Sequence, residues 1–318
     1  MSHYHDTGYK ELFSYPELVQ QLIEGFVPGE IAEMMDFSTL KLESGNYITP
    51  LFEEKHEDLV WSVEVTWRGN TQKVYLYLLM EFQSSIDTTL PIRLMHYVAC
   101  FYSQLIKSKA TNARKGLPPV FPLVLYNGLQ RWKVPDNISG MIRPKPPRFL
   151  KDYQPSLRYY LIDEGAYSDE ELEARGSPVS GIFAIEKAST NRERMQQVVN
   201  RMVQIICKDP NKERIDRVIT RWLKRHFYRL GDRQNWDKIH SLIEDHAMIA
   251  ENIQTWAQKE RLEGLQEGYK KAQAEAEQRL DEVVLNMVQA GIPDDQVLSI
   301  VGITSEQLAA IKGRQRSH

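Results

Sequence analysis

The longest apolar run in the chain is Val74 to Met80, Val-Tyr-Leu-Tyr-Leu-Leu-Met, and two residues of chemical interest, Glu81 and Gln83, follow it directly. Seven residues fall far short of the roughly 18 that span a membrane, so the run reads as a buried strand, here expected over Gln72 to Phe82. The preceding stretch, Asp58 to Trp67, alternates. Leu59, Trp61, Val63 and Val65 fall on one face, and Val60, Ser62, Glu64 and Thr66 on the other. Between the two strands stands Arg68-Gly69-Asn70, a hairpin signal. A buried central strand with an antiparallel neighbour needs a layered fold around it.

The rest of the pattern supplies the layers. Residues 8 to 26 read as one helix, through Leu12, Phe13, Leu18, Leu22, Ile23 and Phe26, stopped by Pro28-Gly29. Leu40 to Ile48 reads as a short strand, Leu90 to Lys107 as an amphipathic helix, and Val120 to Tyr126 and Leu157 to Asp163 as strands. This order predicts an α/β fold, a mixed sheet flanked by helices. Pro135 to Pro155 reads as a Pro-rich basic loop, and Ala166 to Gly181 as an acidic loop or short helix. From Glu186 the chain reads as helical. Leu262, Leu265, Tyr269, Ala272, Ala276, Leu280, Val283 and Met287 make a near-heptad seam with one four-residue slip. Gly264 and Gly268 weaken that helix. A small helical hairpin follows, Asp294 to Val301 and Thr304 to Lys312, the second arm opened by a Thr304-x-x-Gln307 capping box. The expected division is residues 1–230 as the main domain, 231–290 as a helical extension and 291–318 as the hairpin.

The net charge of −3 hides an asymmetry. From Lys107 to Lys151 there are 10 Lys and Arg against one acid, and from Lys187 to Arg229 there are 12 against four. Such stretches suit a polyanion, because each phosphate contact releases counterions; one helix with a solvated basic face is the simpler explanation of the second. Cys100 and Cys207 are the only cysteines, too few for a disulfide framework or a thiolate zinc site. The first residues carry no positive segment and no apolar segment, so a cytoplasmic protein without a membrane anchor is expected.

Chemistry gathers where the two central strands meet. Alternation puts Glu81 and Gln83 on one face, and the hairpin returns the end of their strand to the neighbourhood of Asp58. Two carboxylates there would form a hard-oxygen site for Mg²⁺ or Mn²⁺. Gln83 would orient an attacking water and donate to a phosphate oxygen, but an amide does not titrate and is no general base. The spacing alone also fits a turn residue at Asp58 and a solvated Glu81 and Gln83. Against that, an unpaired acid closing so apolar a strand would be costly.

The sequence around these residues is more specific than the spacing. Asp58-Leu59-Val60-Trp61, then Tyr75-Leu76-Tyr77-Leu78-Leu79-Met80-Glu81-Phe82-Gln83-Ser84-Ser85-x-Asp87, resembles the core of the Rpn family of recombination-promoting nucleases, also called YhgA-like putative transposases. The opening His5-Asp6-x-x-Tyr9-Lys10-x-Leu12-Phe13 is similar to it, as are Arg93-Leu94-x-x-Tyr97 and the stretch from Leu117-Pro118-Pro119 through Tyr126-Asn127-Gly128 to Trp132. The match runs over roughly residues 4 to 163, with the motifs in order, and the Gly- and Glu-rich tail is similar too. The resemblance implies a restriction-endonuclease-like fold of the PD-(D/E)XK type and Mg²⁺-dependent cleavage of DNA, in recombination or in processes linked to mobile elements or phage. It assigns metal-ligand roles to Asp58 and Glu81 and the third motif position to Gln83, where the wider superfamily carries lysine.

Around that site, Arg93 is a candidate for phosphate binding or for pairing with Asp87. Lys107, Lys109, Arg114 and Lys115 are candidate DNA contacts, and Asp6, Lys10 and Tyr97 candidate supports of the catalytic residues. Asp6 also suits a plain helix N-cap. DNA and a second copy of the chain, joined through the C-terminal helices, are the expected partners. The alternatives are a DNA- or protein-binding module with a weak or silent site, and an RNA nuclease.

Overall fold

In the computed structural model, which describes residues 3–43, 59–81, 86–112, 114–128, 130–232 and 235–315 (without the side chains of 3–7, 81, 314 and 315), the first helix is two. Helix α1 (His3–Leu12) and helix α2 (Pro16–Phe26) meet at a short joint. Pro16 decides this. Inside one continuous helix its ring would clash with the preceding turn and remove a hydrogen bond, whereas at the first position of α2 its missing N–H is no loss. Leu18, Val19, Leu22, Ile23 and Phe26 then form one buried stripe on α2. A single turn, α3 (Gly29–Ala32), leads into β1 (Met35–Leu42).

β2 (Leu59–Trp67) and β3 (Asn70–Glu81) form the expected hairpin, in register from Leu59 opposite Leu78 to Trp67 opposite Asn70. Its loop is one residue tighter than the sequence suggests. Only Arg68 and Gly69 turn, with φ of 50° and 78°, and Asn70 already pairs. Positive φ at both central residues gives the backbone twist that matches the strands. Helix α4 (Leu90–Lys107) then carries the chain to β4 (Val120–Tyr126), and a long crossover carries it to β5 (Tyr160–Asp163).

The sheet runs β1-β2-β3-β4-β5, antiparallel across the first three strands and parallel across the last three. The expected mixed sheet with flanking helices is therefore what forms. On one face Leu90, Leu94, Phe101 and Leu105 of α4 pack against Tyr75, Tyr77, Leu79, Val124 and Tyr159. On the N-terminal helices' side, the Trp61 indole donates to the Phe13 carbonyl at 3.0 Å and the Tyr160 hydroxyl to that of Phe26 at 3.1 Å. β5 is shorter than expected because residues 157 and 159 pair with the crossover instead, through Ile138 N–H to Leu157 O and Tyr159 N–H to Asp136 O.

Four helices complete this part: α5 (Asp169–Arg175), α6 (Pro178–Lys187), α7 (Arg192–Lys208) and α8 (Lys212–Arg229). They change the meaning of the second basic stretch. Arg194 and Lys187 pair with Asp169, Arg201 with Glu173, Arg214 with Glu17, Arg221 and Arg225 with Glu11, and Arg229 with Glu186. Those cations hold helices to one another. α1 closes on α8 at Gly8, where a Cβ would stand 3.2 Å from the Trp222 ring.

The chain divides into two compact units, Met1–Gln254 and Thr255–His318, within helix α9 (His246–Gln289). In the second unit, Val284 of α9 packs with Val297 of α10 (Asp294–Val301) and with Leu308 and Ile311 of α11 (Ser305–Gln315). The expected capping box is present, with Thr304 Oγ1 accepting from Gln307 N–H and Gln307 Oε1 from Thr304 N–H. Leu262, Leu265 and Tyr269 of the seam are 60, 64 and 74% exposed. No described helix is long and apolar enough to cross a membrane.

Candidate active site at one edge of the sheet

Three strands converge on the edge that the sequence points to. β2 starts at Leu59, opposite Leu78 near the end of β3. Glu81 ends β3 opposite Tyr126, and Tyr126 ends β4 opposite Asp163. Two strand spacings separate Glu81 from Asp163, roughly 10 Å between backbones. Asp58 and Gln83 lie outside the described residues, as does the Glu81 side chain. Among the described residues, no three His, Cys, Asp or Glu side chains come together as metal ligands.

The flank of this edge is settled. Arg93 pairs with Asp87, and its Nε donates to the Tyr97 hydroxyl at 3.4 Å. Burial raises the Asp87 carboxyl, but hydrogen bonds from Thr89 and Arg93 outweigh it and hold the pKa below its ordinary value. Of the two roles open to Arg93, the local ion pair is the one formed. Tyr97 stacks on Tyr77 of β3, with ring centroids 6.2 Å apart. Lys10 lies half-buried on α1. Asp6 falls within α1, which begins at His3, and so is not its N-cap.

Lys107, Lys109, Arg114 and Lys115 stand elsewhere. All four are exposed, and among the described residues none joins an ion pair. They lie between the end of α4 and the start of β4, and Val120 pairs with Tyr75, six residues before Glu81. That is roughly 20 Å along the strand, at its other end. The structure does not bring them together with Glu81.

Sequence reasoning missed what lies beyond β4 and β5. Asp163 accepts from Gly165 N–H at 3.1 Å and from the Trp132 backbone, so it ties together the turns after both strands. Burial raises its pKa, against those two hydrogen bonds and the Arg131 charge. An open hollow of about 360 Å³ lies beside it, lined by Gly128, Gln130, Arg131, Asp163, Gly165 and Ala166. Behind the edge is a buried polar cluster. Tyr9 donates its hydroxyl to Glu164 Oε2 at 3.0 Å. Burial, then the nearby Glu186 charge, pushes the Glu164 carboxyl well above its ordinary pKa. Glu186 in turn faces His226 Nδ1 at 3.3 Å and Arg229 at 2.7 Å. These residues come from α1, the end of β5, α6 and α8, so no local spacing could reveal them. The one available signal was an acid, Glu164, immediately after an apolar strand.

Comparison with known proteins sharpens this picture. The family model described as "Putative transposase, YhgA-like" matches residues 3–216. The recombination-promoting nuclease RpnA of Escherichia coli (strain K12) is 25% identical over 307 residues, covering 96% of each chain. The recombination-promoting nuclease RpnD of Escherichia coli O157:H7 is 25% identical over 211 residues, 66% of this chain and 77% of its own. The protein named inactive recombination-promoting nuclease-like protein RpnE, from Escherichia coli (strain K12), is 22% identical over 305 residues, again 96% of each. No solved structure matches.

Proposed function

The chain belongs to the YhgA-like family, and on that premise we propose that it is a Mg²⁺- or Mn²⁺-dependent DNA endonuclease of the PD-(D/E)XK type, with little sequence specificity, acting in recombination. The observation that carries this reading is the pairing of Leu59 with Leu78, which sets the start of β2 beside the end of β3 that Glu81 closes. Asp58 precedes Leu59 by one residue in the sequence. Two relatives along most of the chain are named nucleases, which supports the same reading.

The donors fit a hard divalent cation: two carboxylates, and no thiolate among the proposed ligands. When bound, the cation supplies Lewis-acid stabilisation of charge on the phosphoryl group. Asp58 and Glu81 hold it. Gln83 orients the attacking water and donates its amide N–H to a phosphate oxygen, while the proton is taken elsewhere because the amide has no useful basicity. The exposed cations before β4 supply phosphate contacts, and the exposed seam of α9 pairs with a second copy, which would bring two single-strand cutting sites to one duplex.

A second reading has one observation behind it: a relative matching along nearly the whole chain is named inactive. In that reading the protein binds DNA or protein on a silent nuclease scaffold. Nicking of plasmid DNA by wild type and by Asp58→Ala, with and without Mg²⁺, separates the two. Wild type cleaves with metal and the variant does not, while both bind DNA. Cleavage by Asp58→Ala at the wild-type rate refutes the site, and no cleavage by wild type refutes the enzyme.

A further inference from the structure

The crossover from β4 to β5 contains a built segment that buries nothing. Its neck is closed. Asn137 bridges to Arg158, its side-chain amide donates to Ser156 Oγ at 3.1 Å, and Tyr159 N–H donates to Asp136 O. Gly140 is pressed so close to Pro135 that a Cβ would stand 2.8 Å from the proline ring. Trp132, Leu157 and Tyr159 anchor the neck in the core under α4, and the Trp132 indole donates to the Tyr159 hydroxyl at 3.0 Å. The tip is regular too. Residues Arg148–Tyr153 form a 3₁₀ helix between Pro147 and Gln154, and Gln154 folds back to donate to the Leu150 carbonyl at 3.0 Å.

Despite that order, no residue of this helix is buried. Phe149 is 74% exposed and Tyr153 82%. Leaving two large rings in water on a stiff, proline-bounded segment is unfavourable unless a partner covers them. The charge of the tip narrows the partner. Arg143, Lys145, Arg148 and Lys151 are all exposed, against one acid, Asp152. Among the described residues none of the four is in an ion pair, unlike the cations of α7 and α8. In a 3₁₀ helix side chains three apart eclipse, so Arg148 and Lys151 form one row, while Phe149 and Tyr153 fall on the other rows.

We propose that residues 143–153 are a docking ridge for single-stranded nucleic acid, with bases stacked on Phe149 and Tyr153 and phosphates held by the four cations. Every base has a flat face, so stacking tolerates any sequence, and a basic row beside aromatic rings is the arrangement that tracks a strand. A duplex hides those faces and would gain only the charge. The site is distinct from the edge where Glu81 stands. It rests on the nucleic-acid reading above only for the identity of the polyanion, and the strand would be one that the nuclease opens or releases.

The test uses full-length protein in EDTA, so that nothing is cut, and a fluorescein-labelled oligothymidylate followed by anisotropy. Phe149→Ala with Tyr153→Ala should weaken binding by about five-fold or more for each ring. Phe149→Trp with Tyr153→Phe should restore it. Arg148→Ala and Lys151→Ala should each lower the salt slope by roughly 0.7 of a log unit per phosphate released. Because these side chains are exposed, the thermal unfolding of the variants should match wild type. Unchanged affinity in the double alanine variant overturns the proposal. So does an equal loss on duplex DNA, or a preference for anionic phospholipid vesicles over the oligonucleotide. Ring-dependent strand binding by a protein that never cleaves would sustain the ridge and remove the nuclease. Cleavage with ring-independent binding would do the reverse.

Discussion

Replacing Glu164 with glutamine tests the buried cluster behind the sheet edge. Glu164 is 5% exposed and receives the Tyr9 hydroxyl. Its pKa in the folded protein is raised, by burial first and by the Glu186 charge second. The folded chain therefore keeps a proton on Glu164 at pH values where the unfolded chain has lost it. Since the native state binds more protons in that window, stability falls as pH rises from the ordinary glutamate pKa toward the folded one. For one proton the slope reaches about 1.4 kcal/mol per pH unit. Above the folded pKa the loss is complete and the slope ends. Glutamine keeps the shape and an oxygen for Tyr9 but cannot ionise. The two proteins should thus have similar stability near pH 4, and the variant should gain on wild type as pH rises. Urea unfolding followed by tryptophan fluorescence reads the right unit, because Trp61, Trp67, Trp132, Trp222 and Trp236 all precede Gln254. Parallel stability curves, or a variant that loses ground with rising pH, would refute the reasoning.

Other expectations follow from single features. Nicking should require Mg²⁺ or Mn²⁺ and stop with EDTA; full activity in EDTA removes the metal. Gln83→Lys should keep more cleavage than Gln83→Ala in single-turnover assays, since lysine still reaches water and phosphate; equal rates for Gln83→Ala and wild type take Gln83 out of the mechanism. Gly128→Ala would place a Cβ 2.1 to 2.5 Å from the ring and hydroxyl of buried Tyr126, so thermal unfolding should show a loss of about 1–3 kcal/mol. Deleting residues 260–318 should lower the mass measured by light scattering to that of one chain; an unchanged oligomeric state sinks pairing through the seam, and faster cleavage by the truncated protein would favour a covering role for the tail.

Local pattern was enough for the elements whose order is set by near neighbours. The apolar run at Val74–Met80 specified a central strand, the alternation from Leu59 specified its antiparallel neighbour, and the spacing in Leu90–Lys107 specified α4 over that range. The capping box at Thr304 and Gln307 formed as its residues require. These signals are short-range, because side-chain period and hydrogen-bonding chemistry act within a few residues. Even there, Pro16 split a helix whose hydrophobic spacing runs on without a break. The proposed catalytic residues were legible for a different reason: Asp58, Glu81 and Gln83 belong to a motif that a whole family shares, and one hairpin fixes how their strands lie. Tertiary structure alone decided which charges are spent. Nothing in the spacing of Arg214, Arg221, Arg225 and Arg229 shows that acids from α1, α2 and α6 consume them, while Arg148 and Lys151 stay exposed in water. Nor does it bring Tyr9, Glu164, Glu186 and His226 together across more than two hundred residues. Coulomb attraction and burial depend on distance in space, and that distance exists only once the sheet has stacked its helices.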